Sequence, residues 1–530
     1  MKKKFLARML TAMLGVGLVT AGVPNIDGLS MSTASAEVLT VNNYSLEFDA
    51  SKGVEKTMAI DGIAVKFVAY ENIVYVKNPA NVEAETLNIY IPTEYLHGGT
   101  VNGYIASTAP IFMPNGVGGY MPGSILPPVE KDQFTGKPNA TLMALSRGLV
   151  VVTPAIRGRT TVTNGVFVGK APSLIVDYKA AVRYLRYNKN RLPAGDTEKI
   201  ISNGTSAGGA LSAALGSMGN AKEFNSYLNQ IGAADERDDI FAASVYCPIT
   251  NLENADKAYE WIFNGVNTYY PAMWQIEDWK ARGVYKGKDD GKPAKVDASS
   301  ANNPLASSDP FDMTTDEIAI SKVLRDAFPD YVNSLNLRDA KGNQLTLDRN
   351  GNGSFKDYIK SKYMESAQRA FFEGKNLANV SWVKIENDKV VDVDLAAYPF
   401  NVTRMKAAPA FDKIDLSSAE NDEFGTSANA PRHFSDLIQQ KFGGPMAESE
   451  QIRLMNPLNF IGRSDVKVAK YFRIRHGAAD RDTALAIPAI LALKLQNNGV
   501  NVNFFSPWGQ GHGGDYDLKE LFDWIDSICK

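Results

Sequence analysis

One short segment, residues 204–209 (GTSAGG), constrains the fold of this 530-residue chain more than any other feature. It follows a predicted short strand at 199–203 and precedes a predicted helix rich in alanine and leucine at 207–216. A G-x-S-x-G pattern between a strand and a helix requires a tight turn with small residues around the serine. Such a turn presents the Ser206 hydroxyl at the carboxyl edge of a sheet, beside the N–H groups of a helix N-terminus. The alternative is a glycine-rich turn that contains a serine by chance.

Alternating apolar runs and amphipathic stretches surround this segment and predict an α/β fold. The run at 149–152 is continuously apolar, as in a strand buried on both faces. Strand and helix in alternation predict a mostly parallel sheet with helices on both faces. The predicted strands are 87–91, 110–113, 149–152, 199–203, 241–246, 469–474 and 500–505, and the predicted helices are 173–187, 207–216, 485–496 and 518–528.

The alternation stops after Cys247 and resumes near residue 469. Between about 250 and 455 the chain is rich in Asn, Asp and Lys, with helical patterns at 318–328 and 358–372. We therefore expect one α/β domain divided by a large, mainly helical insertion. Its first part is predicted at 37–247, the inserted lid domain at 248–457 and the second part at 458–530.

The N-terminal 36 residues have the pattern of a secretory signal peptide. Three lysines at 2–4 precede a mostly apolar segment at 5–23, and Ala34-Ser35-Ala36 offers a cleavage site. A retained membrane anchor is the alternative, but only about 15 apolar-rich residues follow Arg8, against the roughly 20 that a span needs. No later segment is apolar enough to span a bilayer. We expect an exported protein, extracellular or else periplasmic or bound to the cell surface.

Net charge and cysteine content argue against a nucleic-acid-binding protein and against a thiolate zinc site. The formal net charge of −3 gives no basic footprint for nucleic acid. Two cysteines, Cys247 and Cys529, cannot build a thiolate zinc site, and the sequence leaves open whether they pair. Residues 348–353 resemble the start of a calcium loop, but Ile359 stands where a bidentate Glu is required, which favours a polar turn. We expect neither a cofactor nor a metal in the reaction.

A serine nucleophile needs a base, and the chain has only 4 histidines. His97 precedes the serine and His433 lies in the insertion. His476 ends the strand that should carry the acid, whereas His512 lies between the last strand and the last helix. In this type of fold the acid and then the histidine follow the serine along the chain. Elimination therefore assigns His512 as the base and leaves His476 as a structural residue.

The acid and the oxyanion donors come from two loops. Asp480 and Asp482 both follow the strand near 475; Asp480 is nearer to it, and Asp482 could instead cap the next helix. The Ala207 N–H is one oxyanion donor. The second is expected from the glycine-rich segment 115–119, at Gly119 or Gly118, because this segment directly follows an early strand. The segment 97–99 looks like a lipase motif but precedes that strand, and a plain turn is the alternative for 115–119.

Eight segments of the chain form a distinctive set of motifs: 113–115 (MPN), 117–120 (VGGY), 156–161 (IRGRTT), 203–209 (NGTSAGG), 246–249 (YCPI), 403–407 (TRMKA), 473–483 and 514–518 (GDYDL). These motifs resemble those of bacterial tannases, which are α/β-hydrolases. The resemblance runs from about residue 46 to 529 and includes the insertion.

The resemblance implies hydrolysis of galloyl ester and depside bonds of a small polyphenol ester. It places the nucleophile, acid and base of the family on Ser206, Asp480 and His512. It also implies that Lys406, Glu420 and Asp482 hold the three phenolic hydroxyls, because carboxylates accept well from phenols and an ammonium favours a phenolate-like oxygen. Without the resemblance, Lys406 and Glu420 would be ordinary surface charges.

Three other functions compete with this one. A feruloyl or other hydroxycinnamoyl esterase would share the chemistry, but a methoxy group cannot donate to Glu420 or Asp482. A serine peptidase of the same fold is disfavoured because no propeller-like repeat precedes the catalytic domain. A non-catalytic binding protein usually loses a member of the triad, and here all three are retained.

Overall fold

A computed structural model describes residues 43–133, 135–272, 276, 280 and 310–530. The predicted signal peptide, 1–36, lies outside the described residues. Among the helices of the described part, none combines the length and the hydropathy that a membrane crossing requires.

The central feature is a nine-stranded sheet in the order β1-β2-β3-β5-β4-β8-β9-β14-β15. Six neighbouring strands, from β5 to β15 in that order, are parallel, whereas β1, β2 and β3 form an antiparallel edge. This confirms the predicted α/β fold. The strands are β1 (Val54–Ile60), β2 (Ile63–Val74), β3 (Thr86–Pro92), β4 (Pro110–Pro114), β5 (Val150–Pro154), β6 (Val162–Thr163), β7 (Val166–Phe167), β8 (Asp196–Thr205), β9 (Ala242–Tyr246), β10 (Thr268–Tyr269), β11 (Phe311–Asp312), β12 (Val383–Glu386), β13 (Lys389–Val393), β14 (Tyr471–Arg475) and β15 (Asn501–Phe505).

Helices cover the sheet because its central strands are apolar on both sides. All residues of β4, β5 and β9 are buried. The helices α2 and α3 pack against each other, as do α1 and α13. In chain order the helices described in full are α1 (Ala140–Ser146), α2 (Ser173–Tyr187), α3 (Ala207–Ser217), α4 (Asn225–Gln230), α5 (Leu252–Phe263), α6 (Thr315–Ser334), α7 (Ser354–Phe372), α8 (Tyr398–Val402), α9 (Ala419–Glu423), α10 (Asp436–Phe442), α11 (Ser449–Met455), α12 (Ala486–Asn497) and α13 (Leu518–Cys529).

The segment between β9 and β14 is built differently from the rest. Its described residues contribute no strand to the central sheet, and β10 to β13 form two separate two-stranded sheets. The strands on either side of the segment are nonetheless neighbours, with Tyr246 of β9 opposite Arg475 of β14. The predicted domain boundaries at 247 and 457 remain a prediction.

Parallel register brings four strand ends level at the carboxyl edge of the sheet. Thr205 of β8 lies opposite Tyr246, Tyr246 lies opposite Arg475, and Arg475 lies opposite Phe505 of β15. The loops that follow these four residues therefore begin side by side.

Candidate active site

Ser206 occupies a strained turn between β8 and α3. Its φ of 60° and ψ of −121° place a non-glycine residue in a region that L-residues rarely adopt. Its backbone N–H donates to the Tyr246 carbonyl at 3.0 Å. A Cβ on Gly204 would lie 2.2 Å from the Gly208 carbonyl oxygen, and one on Gly209 would lie 2.5 Å from the Tyr246 carbonyl oxygen. The two glycines are therefore required by close backbone packing around the serine.

The loop 115–119 packs directly against this turn. The Asn115 amide donates to the carbonyl oxygens of Asn203 and Gly208 at 3.0 and 3.1 Å, so one side chain joins the loop to both sides of the serine. Gly119 has a φ of 52°, and its carbonyl accepts from Arg159 Nε at 3.0 Å. Ala207 is the first residue of α3, so its N–H has no acceptor within the helix.

Buried Asp480 and partly exposed His512 form a hydrogen-bonded pair, with Nδ1 of His512 2.9 Å from Oδ2 of Asp480. The other oxygen of Asp480 accepts from the N–H groups of Asp482 and Thr483 at 2.9 and 3.1 Å, and the Thr483 hydroxyl adds a bond of 3.2 Å to Oδ2. Two candidates for the acid were open from the sequence, and the structure places Asp480 against the imidazole.

The charges of this pair shift both pKa values. Burial raises the pKa of Asp480, but the His512 and His476 rings and the hydrogen bonds outweigh it, and the pKa lies below the usual range. Burial lowers the pKa of His512, but the negative charge of Asp480, with smaller contributions from Cys247 and Asp482, raises it well above the usual value.

His476 is fully buried beside Asp480. Its Nδ1 lies 3.6 Å from Asp480 Oδ2, and neither ring nitrogen has a hydrogen-bond partner. Burial lowers the pKa of His476 to about 4, so the ring is neutral at neutral pH. Its position agrees with the structural role that its place in the sequence predicts.

The His512 loop meets the serine turn through tight backbone packing. A Cβ on Gly514 would lie 1.9 Å from Thr205 Oγ1, and Asn203 Nδ2 donates to Asp515 Oδ1 at 3.0 Å. Among the hydrogen bonds of the described residues, none joins Ser206 Oγ to His512. The free nitrogen, Nε2, instead lies 3.9 Å from Cys247 Sγ and 3.8 Å from Asp482 Oδ1. The position of this thiol next to His512 was not predicted.

Lys406 and Asp482 form a second buried pair next to the first. Lys406 Nζ lies 2.9 Å from Asp482 Oδ1 and 4.4 Å from the centroid of the Phe411 ring. Lys406 and Glu420 are each 7% exposed, and Asp482 is 3% exposed, so none of the three is an ordinary surface charge. Burial lowers the pKa of Lys406, but the charges of Asp482 and Glu420 outweigh it and raise the pKa. Burial raises the pKa of Glu420 despite the nearby Lys406 ammonium.

Side chains from the segment between β9 and β14 hold this pair in place. Arg404 is fully buried against Glu260 of α5 at 2.5 Å, and its Nε donates to the Lys406 carbonyl at 2.7 Å. The Tyr259 hydroxyl accepts from the Met405 N–H at 3.3 Å and donates to the Arg481 carbonyl at 2.7 Å. Arg404 lies in a tannase-like motif, but no local pattern in the sequence marks Tyr259.

Comparisons with known proteins place the chain in a family. The family model BD-FAE matches residues 130–270, and a search of the curated proteins found no match. Solved structures match over nearly the whole chain. The tannin acyl hydrolase from Lactobacillus plantarum is 44% identical, with 92% of this chain and 99% of that one covered and a TM-score of 0.82. The Fusobacterium nucleatum tannase is 48% identical, with 92% and 100% covered and a TM-score of 0.83.

A further structure, a tannin acyl hydrolase in complex with ethyl gallate, is 43% identical with 92% and 99% covered and a TM-score of 0.81. Identity at this level over almost all of each chain extends well beyond a shared fold. The chain therefore belongs to the tannases, carboxylic ester hydrolases of the α/β-hydrolase superfamily.

Proposed function

We propose that this tannase is a secreted serine esterase that releases gallic acid from galloyl esters and depsides of hydrolysable tannins through an acyl-enzyme. One observation carries the proposal. The base of the Asp480–His512 pair lies 3.8 Å from Asp482, which is itself paired with Lys406. Proton transfer and recognition of phenolic hydroxyls therefore belong to adjoining parts of one site.

In the first half-reaction, Ser206 Oγ attacks the ester carbonyl while His512 Nε2 accepts its proton. Asp480 stabilises the resulting imidazolium and holds the ring so that Nε2 carries the lone pair. The backbone N–H groups of Ala207 and Gly119 donate to the oxyanion. His512 then protonates the departing alcohol, which leaves a galloyl ester on Ser206.

In the second half-reaction, water attacks the galloyl ester and His512 accepts a proton from that water. The oxyanion donors act again, and Ser206 leaves with the proton from His512, which releases gallate.

The ring of the substrate is held by Lys406, Glu420 and Asp482. Because these three side chains are buried, each hydrogen bond to a phenolic hydroxyl contributes to affinity. A substrate that lacks one hydroxyl leaves a buried charged group without its hydrogen-bond partner. Solved tannin acyl hydrolases in complex with ethyl gallate and with 3,4-dihydroxybenzoate support this assignment of substrate class.

A rate comparison of four methyl esters tests the substrate. We expect kcat/KM to fall from gallate to protocatechuate, and to fall further for ferulate and for a simple aliphatic acyl ester. Each lost hydroxyl that leaves a buried partner unpaired should cost about 1–3 kcal/mol of transition-state stabilisation. Ferulate hydrolysis as fast as gallate hydrolysis would replace the galloyl assignment by a hydroxycinnamoyl one.

The Ser206→Ala variant tests the acyl-enzyme. We expect kcat to fall about 10⁶-fold, because the nucleophile and its proton transfer are lost together. Rapid quenching of the unaltered enzyme with methyl gallate should yield a protein adduct of one galloyl group, and the variant should yield none. An adduct that persists in the variant would assign the nucleophile elsewhere.

Secretion is tested on the protein made by cells that express the full chain. The pattern of residues 1–36 supports removal of a signal peptide, so the mature protein should begin at Glu37. Mass determination of the N-terminal peptide from exported protein checks this, and an uncleaved Met1 terminus in that protein would contradict it.

A further inference from the structure

Cys247 is a buried thiol that the proposed reaction does not use. It directly follows β9, and level strand ends bring it beside the loop that starts after Arg475; its N–H donates to the Arg475 carbonyl at 2.6 Å. Its Sγ lies 3.5 Å from the Gly513 carbonyl oxygen and 3.9 Å from His512 Nε2. Both cysteines of the chain are free, so no disulfide removes this thiol.

The orientation of His512 is also that of a metal-binding histidine. In metal sites the imidazole donates one ring N–H to a carboxylate, which fixes the tautomer and leaves the other nitrogen as the ligand. Here Asp480 is the carboxylate that pairs with Nδ1. The other ring nitrogen, Nε2, lies near Cys247 Sγ and Asp482 Oδ1. The donor atoms of Cys247, Asp480 and His512 all lie within 4.8 Å of one another.

The spacing of the sulfur and the free ring nitrogen suits a tetrahedral ion. Ordinary Zn²⁺ bond lengths place sulfur and nitrogen donors about 3.6 Å apart. The observed distance from Cys247 Sγ to His512 Nε2 is 3.9 Å, so a side-chain shift of a few tenths of an ångström would bring both atoms within bonding distance of one ion.

We propose that Cys247 Sγ and His512 Nε2 form an inhibitory site for a thiophilic divalent cation of the Zn²⁺ or Cd²⁺ class, with water at the remaining positions of the ion. On binding, the S–H bond breaks, a sulfur–metal bond forms and the proton passes to solvent. No oxidant or reductant takes part.

The bound ion occupies the lone pair that His512 needs to accept the Ser206 proton, so ester hydrolysis stops. This inhibitory consequence rests on the proposed function, whereas the binding itself does not. The two are therefore measured separately.

Titration of the full enzyme with CdCl₂ tests the site. The ultraviolet charge-transfer absorption of a cadmium–thiolate bond reports binding, and methyl gallate hydrolysis reports inhibition. We expect both signals to saturate at one Cd²⁺ per chain with the same midpoint, and EDTA to reverse both. Absorption that saturates while hydrolysis continues would overturn the inhibitory site.

Cys247→Ala and Cys247→Ser identify the ligand, with Cys529→Ala as the matched control for the other free thiol. Both Cys247 variants should lose the absorption, and the Cd²⁺ concentration that halves their own residual activity should rise at least about tenfold. Cys529→Ala should retain the absorption and the midpoint. Absorption retained without Cys247, or lost without Cys529, would assign the thiolate to the wrong cysteine. The absorption titration decides the binding even for a chain without esterase activity.

Discussion

At the scale of single residues, the environment of Asp480 explains its suitability as the partner of a base. Four donors, including His512, surround its two oxygens and satisfy the ionised carboxylate. A carboxylate stabilised in this way stays charged and stabilises the imidazolium. Asp482 lacks this arrangement because its Oδ1 is paired with Lys406. The two aspartates are two positions apart, yet Asp480 is paired with His512 and Asp482 with Lys406.

Replacement of Asp480 by Asn has a predicted effect on the pH profile. The Asp480 charge raises the pKa of His512, so its removal lowers that pKa and moves the acidic limb of kcat/KM to lower pH. Because the amide also stabilises the wrong tautomer, kcat should fall about 10³- to 10⁴-fold. Rates of methyl gallate hydrolysis across pH measure both effects.

The exposed Asp465 provides the control, because its carboxylate accepts hydrogen bonds from Arg463 and not from His512. Asp465→Asn should therefore leave the pH profile of kcat/KM unchanged. If the acidic limb of Asp480→Asn kept its midpoint, a group other than His512 would control the rate.

The sequence predicts some of these residues and not others, for physical reasons. Ser206 and His512 are found because a nucleophile turn and a loop after the last strand are local patterns. Lys406 and Glu420 have no such pattern, and only the family resemblance picks them out. Cys247 was overlooked as a neighbour of the base, because its position depends on the register between β9 and β14, which no local pattern reveals.

At the scale of elements, helix α5 links the two chain segments that carry Lys406 and Asp482. The Tyr259 hydroxyl bonds to Met405, next to Lys406, and to Arg481, next to Asp482. Burial raises the pKa of Tyr259 to about 12, so the hydroxyl remains a donor across the working pH range. One phenol thereby sets the spacing of two loops that are distant in the sequence.

The Tyr259→Phe variant should weaken gallate recognition more than chemistry. It leaves the Arg481 carbonyl without its donor, which costs about 1–3 kcal/mol in a buried site. We expect KM for methyl gallate to rise about tenfold, with a much smaller change in kcat/KM for methyl benzoate, which has no phenolic hydroxyls. Steady-state kinetics with both esters measures the difference.

Tyr184→Phe is the matched control, because Tyr184 is also buried and its hydroxyl has no hydrogen-bond partner. It should leave both esters unaffected. Equal losses on gallate and benzoate in Tyr259→Phe would show a general loss of structure instead of a loss of ring positioning.

Most elements of the sheet were predicted to within a few residues, and helix α2 was predicted with its observed ends. The hairpin of β1 and β2 was missed, although Asp61-Gly62 between two alternating runs is a known turn signal. The antiparallel edge that this hairpin forms was missed with it. Alternation of strands and helices indicates parallel strand–helix–strand units, and a hairpin has no helix between its strands. That pattern therefore does not predict an N-terminal hairpin.

At the scale of the whole molecule, the site is assembled from distant parts of the chain. Ser206 directly follows β8, Asp480 and His512 lie in loops after β14 and β15, and Lys406 lies in the segment between β9 and β14. The general α/β plan could be predicted because the halves of the sheet have regular periodicity. The path of the intervening segment could not, because its short helices and hairpins are fixed by tertiary contacts.

The sheet order has a consequence for how the enzyme fails on heating. The strand that precedes His512, β15, is the outermost strand at its end of the sheet and has only one neighbour in that sheet, β14. Edge elements fray at lower free energy than a central core. Departure of β15 would carry His512 away while the buried strands stay paired. Catalytic inactivation should therefore precede the loss of circular dichroism, so thermal lifetime is set by one peripheral strand.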